Sequence, residues 1–217
     1  DLWEKHDDII FQVYTNGTLM DKSVARRLEQ LGNVAVMVSI EGFEDLTDVR
    51  RGAGAYRKIM QTMDNLNEVG VLHGFSATIT SRNAETIISD EFNDLMISKG
   101  CVVGWYFQYM PMGRDPDTSL MPTPQQRLLL QQKGGIRLSE RKPILLVDFW
   151  NHGPYVGGCL AGGRHYLHIT SNGNVEPCVF TQFTMDNIKE KSLKEVLESP
   201  FFKGIRERQP YTENLLR

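Results

Sequence analysis

The sequence is poor in cysteine and in long apolar runs, and each shortage excludes a class of protein. Its 217 residues include 3 cysteines, an odd and small number that does not suit the disulfide framework of a secreted domain. No run of about 18 apolar residues offers a transmembrane helix, and the N-terminal "DLWEKHDDII" lacks the layout of a signal peptide. We therefore expect a cytoplasmic protein that has no membrane partner.

The sequence also lacks an excess of charge and the common nucleotide motifs. A formal net charge of -3 argues against a general nucleic-acid binder, which needs clustered excess Lys and Arg. No GxGxxG, P-loop or G-x-S-x-G motif occurs. What is present is 41% hydrophobic residues in a chain long enough to bury a substantial core.

Strand-like and helix-like segments alternate from residue 9 to about residue 150. The strands are "IIFQVYTNG", "NVAVMVSIEG", "VLHGFSATIT", "CVVGWYFQYM" and "ILLVDFW". Between them, segments such as "AYRKIMQTMDNLNEVG" and "AETIISDEFNDLMISKG" carry apolar residues at helical spacing. Strands joined by helix-length crossovers predict a parallel sheet in an α/β fold.

The polarity of alternate strand residues favours a curled sheet over a flat one. A doubly wound sheet buries both faces, yet one set of alternate residues here turns polar near the C-terminal end of each strand. We therefore expect a partial (β/α)6, TIM-like barrel with its site at that end, where the following residues fall: Asn16, Glu41, Thr80, Gln108 and Asp148. Partial burial, with water filling the gaps, is the alternative.

Three of the polar or aromatic positions are candidates for substrate contact. Gln108 and Asp148 are expected to face the barrel interior, and Tyr14 occupies the corresponding polar set of the first strand. Asp148 is also a candidate proton acceptor, although an Asp at a strand end is as often a helix cap or a turn residue.

The composition changes after residue 150, which predicts two domains, 1–150 and 151–217. The second begins with the Gly-rich "NHGPYVGGCLAGGR" and continues with a predicted β-hairpin around Asn172-Gly173, a pair that suits a type I′ turn. A capping box of Ser192 and Glu195 then starts a helix. We expect a small module of a hairpin and a helix.

Two of the cysteines bracket this hairpin in "CLAGGRHYLHITSNGNVEPC". Cys159 and Cys178 could be unliganded thiols, or zinc ligands together with His165 or His168. A disulfide is disfavoured by the compartment, and an iron-sulfur cluster needs further cysteines. Cys101 is expected in the core, so the residues alone leave these alternatives open.

The spacing of this stretch resembles a known cluster motif. Cys159, thirteen residues, Gly173, four residues and Cys178 resemble the opening of the SPASM and twitch extensions of radical S-adenosylmethionine (SAM) enzymes. Upstream, "YTNGTLM" and "VSIEGFEDLTDVRRG" resemble segments of the same family, although Tyr14, Glu41 and Thr47 stand where Gln, Asp and His are usual. The resemblance covers nearly the whole chain, with its motifs in the family order.

The resemblance implies roles for particular residues. Ser39 and Arg51 would contact SAM at its ribose and carboxylate, with Arg50 able to replace Arg51, and Glu41 and Asn16 would belong to the same cofactor site. Cys159 and Cys178 would ligate an auxiliary iron-sulfur cluster. A solvated loop charge is the alternative for Arg51.

The resemblance also implies an activity. A [4Fe-4S] cluster reduces SAM with an electron from an external donor, and the resulting 5′-deoxyadenosyl radical abstracts hydrogen, with a peptide or protein as the expected substrate, as in sulfatase maturation. The Cys-x3-Cys-x2-Cys loop that holds this cluster does not occur in the sequence. We therefore expect a fragment of such an oxidoreductase that is inactive alone; a non-catalytic or zinc-binding barrel that serves as a binding module is the alternative.

Overall fold

A computed structural model describes residues 2–113 and 115–208, and the chain divides into two compact units after His152. The first unit alternates helices and strands in the order α1 (Leu2–Lys5), β1 (Phe11–Thr15), α2 (Lys22–Leu31), β2 (Val34–Ser39), α3 (Glu44–Arg51), α4 (Ala55–Val69), β3 (His73–Ile79), α5 (Ala84–Ile87), α6 (Asp90–Ser98), β4 (Val103–Gln108), α7 (Pro124–Lys133), α8 (Ile136–Ser139) and β5 (Leu145–Asp148).

The five strands form one parallel sheet in the order β1-β2-β3-β4-β5, which confirms the predicted α/β architecture. One face of the sheet packs against the helices and forms the core of the unit. Val36, Phe75 and Tyr106 lie on this face, and each is fully buried. The ring of Phe75 packs edge-on against Phe92 of α6 with the centroids 5.5 Å apart.

The other face of the sheet is concave. Tyr14 of β1 and Phe107 of β4 have their ring centroids 6.1 Å apart, although β2 and β3 lie between these strands. Three steps between neighbouring strands span about 14 Å in a flat sheet. The two rings therefore meet because the sheet curls toward them, as the sequence predicts. We call this concave side the inner face.

The helices differ from the sequence prediction in two places. The segment 84–98 is two helices, since the side chain of Ser89 accepts the backbone N–H of Phe92 and starts α6. A further helix, α3, follows β2 and carries both Arg50 and Arg51. In the part of the chain that the structure describes, no helix has the length and apolar character needed to cross a bilayer.

The second unit contains a three-stranded antiparallel sheet and two helices. Its elements are β6 (His168–Ile169), β7 (Asn174–Glu176), β8 (Asp186–Asn187), α9 (Leu193–Leu197) and α10 (Pro200–Glu207), with β7 in the middle of the sheet. The capping box of Ser192 and Glu195 begins α9 as predicted. Pro200 starts a separate helix rather than continuing α9, because proline fits the first turn of a helix and disrupts its interior.

The turn between β6 and β7 is not the predicted two-residue type I′ turn. The carbonyl of Thr170 accepts the N–H of Gly173 at 2.8 Å, so that Ser171 and Asn172 form the centre of the turn. Gly173 follows with a φ of 88°, and Asp115 is the sole non-glycine residue with positive φ within the described ranges. The glycine is thus the extra residue of a longer loop, and Asn172 needs no left-handed conformation.

Candidate functional site

The inner face of the sheet carries hydroxyl groups on the neighbouring strands β2 and β3. Ser39 at the end of β2 pairs in register with Ser76 of β3, and their Oγ atoms lie 3.3 Å apart. Met37 lies below them on the same face and is fully buried. The two hydroxyls thus lie above a closed apolar layer, toward the C-terminal end of the sheet.

A cluster of one acid and two bases lies just beyond this end of β2. The carboxylate of Glu41 accepts a hydrogen bond from Nη2 of Arg51 at 2.5 Å, and Nε of Arg50 lies 3.3 Å from the same oxygen. The Glu41 side chain is 2% exposed, whereas those of Arg51 and Arg50 are 22% and 39% exposed. Two guanidinium groups on one carboxylate leave the cluster with one net positive charge.

Glu41 is fixed by a residue of β3 and a residue of α3. Its second carboxylate oxygen accepts the backbone N–H of Thr78, and its own N–H donates to the hydroxyl of Thr47. Burial raises the pKa of Glu41, while the two guanidinium groups and the hydrogen bonds oppose that rise. The cluster is therefore built into the sheet end, and Arg51 is more than the solvated loop charge considered from the sequence.

One nitrogen of Arg51 is left without a hydrogen bond. Its Nε is buried and has no acceptor within the described residues. A buried donor without an acceptor is unfavourable, so the position suits an additional anionic oxygen.

Asp48 holds the glycine-rich segment that follows the two arginines. Its carboxylate accepts the backbone N–H groups of Gly54 at 2.6 Å and Tyr56 at 2.8 Å. These bonds, that of Tyr56 first, hold the pKa of Asp48 below its usual value. Asp48, which lies in the segment that resembles the family, thus has a structural role in ordering the start of α4.

Asn16 and Tyr14 lie at the C-terminal end of β1. The side chain of Asn16 is exposed and accepts the N–H and the hydroxyl of Thr18. Tyr14 is 46% exposed and lies on the inner face with Met37, its neighbour in register. The structure therefore brings Tyr14 and Ser39 to one face of the sheet.

The expectation that Gln108 and Asp148 face the interior of the barrel is wrong. The register pairs Thr78 with Phe107 and Trp105 with Val147, so the inner face of β4 and β5 carries the apolar set of residues. Gln108 and Asp148 therefore point to the helical side, where they are 6% and 1% exposed. The strand pattern shows that residues alternate, whereas pairing with the neighbouring strand decides which set turns inward.

Asp148 is a turn residue, the alternative that the sequence left open. Its carboxylate accepts the backbone N–H groups of Trp150 at 3.0 Å and Asn151 at 3.1 Å. Gln108 is buried with an amide nitrogen that has no partner in the described part of the chain. Neither residue reaches the inner face.

An aromatic row on the inner face was missed in the sequence. Phe107 stacks on Trp105 at 5.8 Å and contacts Phe149 at 5.7 Å, and Phe149 in turn contacts Trp150. The alternation of aromatic residues in "GWYFQ" is visible in the sequence, but the expectation that Gln108 faces the interior puts Trp105 and Phe107 on the opposite side. The row gives the inner face an apolar wall beside the hydroxyls of Ser39 and Ser76.

In the second unit, Cys159 and Cys178 are half-buried neighbours. Burial is the main cause that raises the pKa of Cys178, and the neighbouring Cys159 raises it further. The backbone N–H of Phe180 and the hydroxyl of Tyr166 act in the opposite direction on Cys178, and the N–H of Ala161 lies 3.5 Å from the sulfur of Cys159. The two thiols are thus neighbours, and burial favours the neutral form of Cys178.

The alternatives for the cysteines can be compared with this geometry. All three cysteines are free, and Cys101 lies in the core of the first unit, where burial raises the pKa of its thiol to about 12. His168 is hydrogen-bonded to Glu176 through Nδ1 at 2.9 Å. Among the described residues, no group of three or more His, Cys, Asp or Glu side chains could hold a metal ion. Two thiols are fewer ligands than a four-coordinate zinc site or an iron-sulfur cluster needs.

Comparison with known proteins finds one family model within each unit. Residues 2–89 match the model of the radical SAM superfamily, and residues 159–215 match the model of the SPASM iron-sulfur cluster-binding domain. The chain carries a radical SAM domain and a SPASM domain. The resemblance seen in the strand-end motifs and in the spacing of Cys159 and Cys178 is thereby confirmed.

Individual relatives agree with this assignment. The chain is 26% identical over 209 residues to the AdoMet-dependent heme synthase of Methanosarcina barkeri, covering 85% of this chain and 59% of that protein. It is 26% identical over 198 residues to the sporulation killing factor maturation protein SkfB of Bacillus subtilis, covering 85% and 45%. The chain thus spans about half the length of these radical SAM relatives.

Solved structures show the same fold. Streptococcus suis SuiB superimposes with a TM-score of 0.73 at 19% identity, over 95% of this chain and 53% of that protein. SuiB has also been solved with bound S-adenosylmethionine and with its precursor peptide SuiA. The curled parallel sheet of the radical SAM domain and the small antiparallel sheet of the SPASM domain are therefore a known combination.

Proposed function

We propose that this chain is part of a radical SAM oxidoreductase that abstracts hydrogen from a peptide or protein substrate, and that its inner face holds SAM. The cluster of Glu41, Arg50 and Arg51 carries this proposal, because it puts one net positive charge at the end of the sheet where ligands of curled α/β sheets bind. SAM carries a carboxylate that a guanidinium binds well.

Different residues of the inner face suit different parts of SAM. The buried Nε of Arg51 suits the carboxylate, and the hydroxyls of Ser39 and Ser76 suit the ribose. Glu41 orients the two guanidinium groups and leaves their outer edges to the ligand. Asn16 and Tyr14 close the site on the side of β1, and the aromatic row excludes water from the apolar wall.

The chain contains candidate ligands for one of the two expected iron-sulfur clusters and none for the other. Cys159 and Cys178 would hold one side of an auxiliary iron-sulfur cluster, whose sulfur ligands the N–H of Ala161 and the neighbouring donors would stabilise. The cluster that reduces SAM has no fit, since the sequence contains none of its three-cysteine loop. We expect that this chain alone does not cleave SAM, and that the one-electron donor acts on the complete enzyme.

The carboxylate site can be tested on the chain itself. S-adenosylhomocysteine contains the amino acid carboxylate of SAM, and 5′-methylthioadenosine lacks it. Since a hydrogen bond to a charged group contributes about 1.5–3 kcal/mol, we expect the first compound to bind about 10- to 100-fold more tightly in a calorimetric titration. Arg51→Met should remove most of this preference.

The matched control is Arg26→Met, which removes an exposed arginine of α2. It should leave both affinities unchanged. Equal binding of the two compounds by the wild-type chain, or an equal loss in both arginine variants, would contradict the assignment of the carboxylate to Arg51.

A peptide or protein is the first candidate for the substrate. The names of two relatives support it, since SkfB is a maturation protein of the sporulation killing factor and SuiB has been solved with its precursor peptide. The half-exposed aromatic row offers such a substrate an apolar contact surface. Formation of 5′-deoxyadenosine by the complete enzyme that depends on an added precursor peptide would support this candidate.

A tetrapyrrole is the second candidate. It is favoured by the heme synthase among the relatives and by the rings of Trp105 and Phe107, which lie 9° from parallel. Adding haem to the chain distinguishes the two candidates. A saturable shift of the haem absorption band that Phe107→Ala abolishes would support the tetrapyrrole, and an unchanged band would leave the peptide.

A further inference from the structure

Asn83 is a buried asparagine that joins the C-terminal ends of β2 and β3. Its Nδ2 donates to the carbonyl of Glu41 at 3.1 Å and to that of Thr78 at 3.0 Å. Its Oδ1 accepts the backbone N–H of Thr80 at 2.6 Å and the hydroxyl of Thr80 at 3.0 Å. Asn83 is 3% exposed, and these four bonds use both hydrogens and both lone pairs of the amide.

These bonds lie where the backbone pairing of the two strands gives way to side chains. The N–H of Ile40 donates to the carbonyl of Ser76 at 3.0 Å. Beyond this bond, the carboxylate of Glu41 accepts the N–H of Thr78 at 3.2 Å, and the amide of Asn83 donates to the carbonyls of the same two residues. Asn83 therefore holds the backbone of both partners in the contact that fixes the Glu41 carboxylate.

The position of this carboxylate sets the position of the two arginines. Arg51 and Arg50 both contact one oxygen of Glu41, at 2.5 and 3.3 Å. A shift of the strand ends at Glu41 therefore moves both guanidinium groups. The hydroxyls of Ser39 and Ser76 lie earlier in the sheet, where backbone register pairs the strands. A change at Asn83 thus acts on the charged cluster rather than on the hydroxyl pair.

We propose that Asn83 is a positioning residue for the carboxylate end of SAM: it holds Glu41 and Thr78 together and so places the guanidinium of Arg51. The inference rests on the proposed function, in which Arg51 binds that carboxylate. A charged hydrogen bond depends on geometry, and a binding group keeps its place only when the residues behind it are fixed.

The test compares the binding of S-adenosylhomocysteine and 5′-methylthioadenosine to Asn83→Ser by calorimetric titration. Serine removes the amide but retains a good first residue for α5, whose N-cap is Asn83. A hydrogen bond to a charged group contributes a factor of about 10 or more in affinity, so we expect the preference for S-adenosylhomocysteine to fall about 10-fold. The affinity for 5′-methylthioadenosine, which lacks the carboxylate, should stay unchanged.

A second variant, Asn83→Gln, keeps a buried amide but moves it by one methylene group. The preference should fall in this variant too, because the role depends on where the amide lies. Circular dichroism establishes which variants are folded. An unchanged preference in either folded variant overturns the role of Asn83.

The matched control is Asn93→Ser in α6. Asn93 is also fully buried, and its amide donates to two carbonyls, those of Ile87 at 2.9 Å and Ser89 at 2.8 Å. Its replacement should cost stability but leave the preference as in the wild type. An equal fall in Asn93→Ser would mean general loosening of the unit and would overturn the role of Asn83. If the wild-type chain shows no preference, the carboxylate site of the proposed function itself fails.

Discussion

Replacement of Gly74 by alanine should test the close contact between β3 and β4 that shapes the inner face. A methyl group at Gly74 would lie 2.0 Å from the carbonyl oxygen of Val103, its neighbour in register, whereas real contacts essentially never fall under 3.0 Å. The two strands must therefore move apart by roughly the difference of these distances. The obstacle is backbone, so no side-chain rotation relieves it.

The magnitude follows from two contributions of the same sign. Overpacking of a well-packed site costs about 1–3 kcal/mol. Displaced strand hydrogen bonds add about 1 kcal/mol each, and two of them bring the loss in the free energy of unfolding to about 3–5 kcal/mol. Gly74 does not lie in the left-handed region, so the general rule for glycine to alanine predicts the opposite, a gain of about 0.4–1 kcal/mol.

The assay is urea unfolding followed by tryptophan fluorescence. All 3 tryptophans, Trp3, Trp105 and Trp150, precede residue 153, so the signal reports on the radical SAM unit alone. A loss of 3–5 kcal/mol corresponds to a fall in Tm of about 6–20 °C. A Gly74→Ala variant as stable as the wild type would refute the reasoning.

Gly204→Ala in α10 is the matched control, because a methyl group there meets nothing within 4 Å. Alanine in place of glycine inside a helix should stabilise α10 by about 0.5–1 kcal/mol. The tryptophan transition should not change, since α10 belongs to the other unit.

Three further predictions follow from buried or capping side chains. Burial raises the pKa of Glu41. The stability of the wild type relative to Glu41→Gln should therefore be highest below the ordinary pKa of 4.5 and should fall as the pH rises through the folded-state pKa. A stability difference in urea unfolding that does not change with pH would contradict this. The N–H groups that Asp48 binds lower its pKa. Asp48→Ala should therefore be less stable than the wild type at neutral pH, and this difference should shrink as the pH falls below 3.8, as pH-dependent thermal unfolding would show. Gln108→Leu removes a buried unpaired amide far from the inner face and should leave both the affinity for S-adenosylhomocysteine and the stability undiminished; weaker binding in calorimetry would return Gln108 to the ligand site.

The elements of the sheet could be predicted from the sequence because their signals are local. Strands such as "VAVMVS" and helices with an apolar stripe and a terminal glycine need no knowledge of their neighbours. The inner face could not be predicted in the same way. Trp105 and Phe107 are apolar, and only their register with Ser76 and Thr78 shows that they turn inward.

The ion-pair and hydrogen-bond partners of particular side chains could not be predicted from local sequence patterns. The family resemblance implies a ligand carboxylate for Arg51, but no pattern in the sequence indicates that Glu41 already binds it. Tyr166 and Val179 are 13 residues apart, and they meet because the longer loop at Gly173 sets the hairpin register. Contacts of this kind depend on one turn or one register, which a single sequence does not specify.

Glu41 also explains why the proposed SAM site can be both stable and ready to bind. Without Glu41, the two guanidinium groups would repel each other and would not be held in one position. A ligand would then lose binding free energy to the ordering of both side chains. With Glu41 fixed by Thr78 and Thr47, Arg50 and Arg51 are held at one oxygen before the ligand arrives. The single positive charge that remains is matched to one carboxylate, so the same contact that orders the sheet end also limits what it binds.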